Sequence, residues 1–354
     1  MKQAGIYAAK KMFTGTSWLY DFSVVVKDRF IVDLIPTNQL NEKPTQEYRT
    51  LIPAFIDLQI YGAANRLFSV YPDTDTLQKL YEYCVSGKTA FYLPTVATNT
   101  YRVMYDCIDA IKTYWQQGGK GCLGLHIEGP WIHSEKRGAH IESLIHSPQK
   151  EEVLQLLEYG KGVIKMITLA PEVCDAAIIQ LIKSYGIVVS AGHTNATYEQ
   201  AMNSFNNGIT TVTHLYNAMS GLQHRAPGMV GATFNHHQVM ASIIPDGYHV
   251  DFAAVKIAKK MMGNRLFVIT DAVTQTTQGH YQHNLMGDKY QSNFILSGSA
   301  LTMEKAVNNL VNYCGIEIEE AIRMCSLYPS IVLGLDQQLG KIEKGFQAVF
   351  TDWE

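Results

Sequence analysis

No stretch of this chain approaches the roughly 20 consecutive apolar residues that a membrane-spanning helix needs. Its opening, MKQAGIYAAKKMFTG, reads without the apolar centre of a secretory signal. Neither sign of charge is in excess: 29 Lys and Arg against 32 Asp and Glu leave a formal charge of −3, which gives no electrostatic case for nucleic acid or an anionic membrane as partner. Basic pairs such as Lys10-Lys11 and Lys259-Lys260 read as solvated surface. The six cysteines (Cys84, Cys107, Cys122, Cys174, Cys314 and Cys325) form no C-x-x-C pair, so they read as reduced core thiols of a cytoplasmic protein. Internal repeats and low-complexity tracts are missing as well. Apolar residues are abundant: 47% hydrophobic against 17% charged over 354 residues predicts a large buried core and excludes disorder.

Short apolar runs alternate with longer amphipathic ones. Candidate strands are Leu51–Leu58, Thr89–Val96, Gly121–His126, Val163–Leu169, Ile187–Ala191, Thr210–Thr213, Val239–Ile244 and Leu266–Ile269. Helical patterns fall between most of them, at Thr74–Ser86, Tyr101–Trp115, Pro148–Tyr159, Cys174–Ser184, Thr197–Asn206 and Asp251–Met262, and again at Met303–Cys314 and Ile318–Ser326. Eight strand–helix alternations predict an α/β fold of the (β/α)8, TIM-barrel type. The first 50 residues alternate instead like a β-meander, and the closing GKIEKGFQAVFTDWE reads as a hairpin. The expected organisation is a small β-sandwich domain from residues 1–50 with 335–354, flanking a barrel over 51–334.

The unusual polar residues sit where the strands end. VVSAGHTNAT begins as a core strand, breaks at Gly192 and presents His193. Glu128 follows the third strand, His214 the sixth and Asp271 the eighth. In a closed barrel all four open onto the C-terminal face, where barrel enzymes keep their chemistry. One carboxylate and two imidazoles, Glu128, His193 and His214, are a common zinc set with one position left for water. Asp271 has the chemistry to take a proton from such a water and return it to a leaving group; its bland alternative is a helix or turn cap. His126 lies two residues before Glu128 on the same strand face, so spacing does not exclude it as a competing ligand. Lys165, in the fourth strand, reads as packed or snorkelling.

Ten segments in order, FIDLQIYG, HIEGPW, RGAH, TLAPE, GHTNAT, THLYNAM, RAPGMVG, DGYH, TDA and SGSALTM, resemble the N-acetylglucosamine-6-phosphate deacetylases of the amidohydrolase superfamily. The resemblance runs from about Leu51 to Met303. It implies that Glu128, His193 and His214 hold one divalent ion, zinc before Fe²⁺, Co²⁺ or Mn²⁺, and that Asp271 is the general base and acid. It also implies that His140 faces the acetamide carbonyl and helps stabilise the oxyanion, with Ala139 beside it. Asn217 and Ala218 would line the sugar phosphate and Arg225 and His249 would grip the phosphate, in a homodimer whose phosphate contacts cross the interface. Taken without the resemblance, Arg225 reads as a surface ion-pair residue and His249 as a satisfied loop histidine.

Three departures stand out. Many amidohydrolases carry H-x-H after the first strand, making a second metal site; here the segment is Asp57-Leu58-Gln59-Ile60-Tyr61. Gln59 occurs in single-metal deacetylases of the family and favours one ion. The family often has Asn-Gly next, where this chain has Tyr61-Gly62, which alters the pocket wall. The terminal GFQAVF lacks the acidic residue usual in the family's closing hairpin, which leaves the chemistry untouched. The expected activity is hydrolysis of N-acetylglucosamine 6-phosphate to glucosamine 6-phosphate and acetate. The rivals are an amidohydrolase of another N-acetyl amino sugar and a non-catalytic barrel that only binds a sugar phosphate.

Overall fold

The structure, a computed structural model, describes residues 1–292 and 295–353. Strands β1 (Gly5–Phe13), β2 (Trp18–Lys27), β3 (Phe30–Pro36) and β4 (Gln46–Pro53) form a sheet with the strand Phe350–Asp352 from the other end of the chain, which pairs antiparallel with β4. The order is Phe350–Asp352, β4, β1, β2, β3. Its apolar face buries Met12, Val24, Ile31 and Leu51 against Ile342, Phe346 and Ala348. Among the described residues this is one five-stranded layer covered by chain, where two facing sheets were expected. The closing hairpin is also corrected. Ile342, Phe346 and Ala348 are spaced to cover the sheet rather than to alternate along a strand. Gly345 turns the chain at φ 90°, and only Phe350–Asp352 is left extended enough to pair. Glu354, the last residue of that expected hairpin, lies outside the described residues.

The expected first barrel strand is two strands. Pro53 has no N–H to continue a ladder, and the chain passes at Ala54 from the small sheet into β5 (Phe55–Ile60). An unbroken apolar run hides that hand-over, because both strands are buried. After a two-strand ribbon, β6 (Gly62–Ala63) and β7 (Arg66–Leu67), come β8 (Thr89–Ala97), β9 (Leu125–Glu128), β10 (Ile164–Leu169), β11 (Val188–Ala191), β12 (Thr211–Val212), β13 (Met240–Ile243) and β14 (Leu266–Val268). β5 and β8 to β14 form one parallel sheet in chain order. It is drawn round into a barrel just beyond β14, where Asp271 N–H donates to the Gln59 carbonyl (3.0 Å) and Tyr61 N–H to the Ala272 carbonyl (2.8 Å).

All eight expected helices form, within a few residues at their ends. The fifth, Tyr198–Asn206, starts with a reciprocal capping box between Thr197 and Gln200. Two more were not foreseen. Gly228–Asn235 is buried from Gly228 to Phe234, so its sequence has no polar face to mark a helical period; Leu327–Val332 is short and contains Pro329. Nor was the three-stranded insertion after β14 foreseen: β15 (Asn284–Met286), β16 (Lys289–Ser292) and β17 (Ile295–Ser299). It hangs from the barrel at Ser299, whose N–H donates to the Asp271 carbonyl (3.0 Å). Among the described residues no helix is long and apolar enough to cross a membrane, and all six cysteines are free thiols.

Asp57 pins the closure. Its carboxylate accepts the N–H of Gln59 and of Thr270 (3.2 Å each) and the Thr270 hydroxyl. Burial pushes this carboxyl up to about 6, against the lowering effect of the Thr270 and Gln59 hydrogen bonds. Between its ordinary value near 4 and about 6 the folded chain keeps a proton that the unfolded chain has released, so this group's contribution to stability declines as pH rises through that window. Asp57→Asn removes the titration. Urea midpoints should show the wild type losing about 3 kcal/mol relative to the variant between pH 4 and 6 and nothing further above. A constant difference across that range would contradict the assignment.

Candidate active site

The polar residues that end the strands converge at one rim. Glu128 is the last residue of β9, and His193, His214 and Asp271 follow β11, β12 and β14 by two or three residues. The latter three adopt left-handed backbone, with φ of 48°, 35° and 54°, a conformation that costs non-glycine residues on the order of 1–3 kcal/mol each. Hydrogen bonds from neighbouring turns hold it. His133 N–H donates to the His193 carbonyl (2.9 Å), Ser242 Oγ accepts the His214 N–H (2.8 Å), and Asp271 is held at both its N–H and its carbonyl.

His214 Nε2 lies 3.1 Å from Glu128 Oε1 and 3.1 Å from His193 Nε2, and His193 Nε2 lies 3.4 Å from the same carboxylate oxygen. Donors around a tetrahedral ion at 2.0–2.1 Å stand about 3.3 Å apart, so this trio fits a small divalent cation. His193 Nδ1–H donates to the Lys136 carbonyl (2.8 Å), which turns the Nε2 lone pair toward the cluster.

Two other histidines are near enough to compete. His140 also faces the cluster, with Nε2 3.2 Å from Glu128 Oε2, and Glu128, His140 and His193 are close enough to share an ion. However, its Nδ1 accepts the Thr98 N–H (3.3 Å) beside the Thr98 hydroxyl (2.7 Å), so Nε2 carries the proton and is a donor. Gly129 allows this arrangement: at φ 80° it has no Cβ, and one would sit 2.2 Å from Thr98 Oγ1. His126 is spent on structure, with Nδ1 to the Leu58 carbonyl (3.0 Å) and Nε2 to Thr168 Oγ1 (2.8 Å). Lys165 packs its stem over Gly124, away from the rim.

The carboxylates are pushed apart. Burial acts to raise Glu128, but its imidazole neighbours His193, His140 and His214 prevail and hold it well below its ordinary value. Asp271 is held well above its own, first by burial and then by the Glu128 charge. Burial takes His140 down to about 4 and also lowers His214. One carboxyl held low beside another held high is a division of roles suited to ion binding beside proton transfer. The side chain of Asp271 meets Gln59 Nε2 (2.8 Å) and caps no helix among the described residues, which removes the capping alternative. Gln59 Nε2 also reaches Glu128 Oε1 (3.0 Å) and Tyr61 Oη (2.7 Å).

These groups floor a cavity of about 310 Å³, the lower end of the range for small-molecule sites. Ala139, His140, Asn217, Ala218 and His249 all line it. Asn217 Nδ2 is buried without a hydrogen-bond partner among the described residues, which leaves a donor available in the cavity lining. His249 Nδ1 is bonded to Asp246 (2.7 Å), leaving Nε2 to point elsewhere. Arg225 is not brought in: it lies exposed on the 221–226 loop, outside the lining of its own chain's cavity. The sequence reading missed Tyr281, His283 and Ser297, which the insertion places on the opposite wall. SGSALTM is the one signal that pointed to it.

The amidohydrolase family model matches residues 50–354. An N-acetylglucosamine-6-phosphate deacetylase of Haemophilus influenzae is 33% identical over 96% of this chain and 93% of its own length. An N-acetylgalactosamine-6-phosphate deacetylase of Escherichia coli O157:H7 is 31% identical over 97% of this chain and 93% of its own. The crystal structure of N-acetylglucosamine-6-phosphate deacetylase from Pasteurella multocida superposes with a TM-score of 0.92 at 34% identity, covering 98% of this chain and 94% of that one.

Proposed function

The chain belongs to the amidohydrolase family, and from that premise we propose that it hydrolyses N-acetylglucosamine 6-phosphate to glucosamine 6-phosphate and acetate in amino-sugar breakdown. The observation that carries this reading is the meeting, in one cavity, of the Glu128–His193–His214 donor set with the buried carboxyl of Asp271 and the unpartnered amide of Asn217. The likeness to deacetylases over nearly the whole chain supports it.

Glu128, His193 and His214 would hold a single divalent ion, with zinc expected. When bound, it would supply Lewis-acid polarisation of the acetyl carbonyl and a water that ionises near neutral pH. Asp271 takes the proton of the attacking water on a carboxylate oxygen and hands it to the amine nitrogen, which leaves poorly unless protonated. His140 Nε2–H donates to the carbonyl oxygen as it gains charge. Asn217, Ala218 and His249 seat the sugar phosphate, and Arg225, exposed away from its own cavity, is assigned to the site of a second subunit in a homodimer. The division into an end domain (1–50 with 335–354) and a barrel (51–334) is part of this reading, supported by the sheet that unites both ends. So is a cytoplasmic setting, supported by the six free thiols.

The test is acetate release from N-acetylglucosamine and from the 6-phosphates of both N-acetylglucosamine and N-acetylgalactosamine, with and without chelator. The epimer is included because both sugars occur in the names of the relatives. Chelator-sensitive turnover of N-acetylglucosamine 6-phosphate above the other two is expected, with about one ion per chain by elemental analysis. Preference for the unphosphorylated sugar, or turnover indifferent to metal removal, would overturn the reading.

A further inference from the structure

Tyr61 stands where the chain departs from its resemblance, and its hydroxyl does more than fill the wall. It donates to Glu128 Oε2 and accepts from Gln59 Nε2 (2.7 Å). His140 Nε2 stands 3.2 Å from the same oxygen. Oε1 faces the other way, toward His214 and His193. The two oxygens of one carboxylate thus meet different partners, Oε2 the phenol and Oε1 the two imidazoles with Gln59 Nε2 beside them.

We infer that Tyr61 is a positioning residue that restricts Glu128 to binding the ion through Oε1 alone and closes the Oε2 side to a second cation. This rests on the reading of Glu128, His193 and His214 as ion ligands. A carboxylate free at both oxygens can swing to chelate one ion or bridge two; a phenol hydroxyl bonded to Oε2 opposes both. Gln59 strengthens the block, since its amide, a donor, stands between Glu128 Oε1 and Asp271 Oδ1 (3.0 and 2.8 Å), where a second cation would need acceptors. The Tyr61 ring packs with Leu67, Val273 and Tyr281, so Tyr61→Phe keeps the wall and deletes only the hydroxyl.

The experiment titrates metal-free wild type and Tyr61→Phe with Co²⁺, following the visible absorption spectrum and the bound-ion count. Wild type should take one ion. The variant should bind it about 10–100-fold more weakly, the usual effect of removing a partner from a ligating side chain, with an altered cobalt spectrum as the carboxylate gains a second contact. Equal affinity and an identical spectrum would overturn the inference, as would two ions in the wild type. If the wild type takes no ion, the metal-site reading falls instead. Should Tyr61→Phe not fold, X-ray absorption of the cobalt-loaded wild type decides: a carboxylate bound through both oxygens, or a second cobalt within about 4 Å, overturns the inference, and single-oxygen ligation of a lone cobalt supports it.

Discussion

Asp271→Asn should keep its divalent ion and lose about 10²–10⁴-fold in acetate release, the usual contribution of a general acid–base group. The substitution is mild in every other respect. The Asn Oδ1 still accepts from Gln59 Nε2, which lies 2.8 Å from Asp271 Oδ1 in the native chain. The left-handed backbone at φ 54° suits Asn at least as well as Asp. The amide is nearly isosteric with the carboxyl, so the floor of the cavity keeps its shape. What it lacks is a transferable proton. Turnover rates measured beside metal content separate this from collapse of the site. Near-normal turnover with metal retained would remove Asp271 from the chemistry.

Arg225→Ala is the second large effect. If the guanidinium grips the 6-phosphate, kcat/KM on the phosphorylated sugar should fall by about 30- to 5000-fold, equivalent to the 2–5 kcal/mol that follows truncation of one partner in a buried charge pair. Activity on the free sugar should barely change. Part of the loss should appear in kcat, because binding energy at a remote phosphate also orients the acetamide. Arg225 is exposed and outside its own chain's cavity, whereas His249 lines that cavity, so mixing Arg225→Ala chains with Asp271→Asn chains should restore activity: a mixed dimer rebuilds one site with both residues intact. No recovery, with mixed dimers shown to form, would place Arg225 in its own site. Equal losses on both substrates would remove it from phosphate recognition.

The barrel was legible in the sequence because its strands are apolar runs of the right length, and the rim was legible because His193, His214 and Asp271 are polar groups placed at the ends of such runs. Periodicity could not separate β4 from β5, since burial on both sides of Pro53 erases alternation. It could not find Gly228–Asn235, a helix without a wet face. Nor could spacing rank His126 against Glu128, because the two share a strand face. What removes His126 is that both its ring nitrogens are already occupied, by Leu58 and Thr168. The opposite wall was illegible because β15 to β17 are short, exposed on several faces and tied to the barrel by backbone contacts that no side-chain pattern reports.

That insertion has a consequence for how the protein can change. Its foot is fixed, through Ser299, to the main chain of Asp271 and Ala272, while its far end is a two-residue turn at Gly287 and Asp288, between Met286 and Lys289. Lengthening or replacing that turn leaves the foot, and with it the proton-transfer group, where it is. The cavity therefore has one wall that can be exchanged like a fitting, so variants selected for a new sugar should accumulate at Tyr281, His283, Leu296 and Ser297 while the strand-end chemistry stays constant.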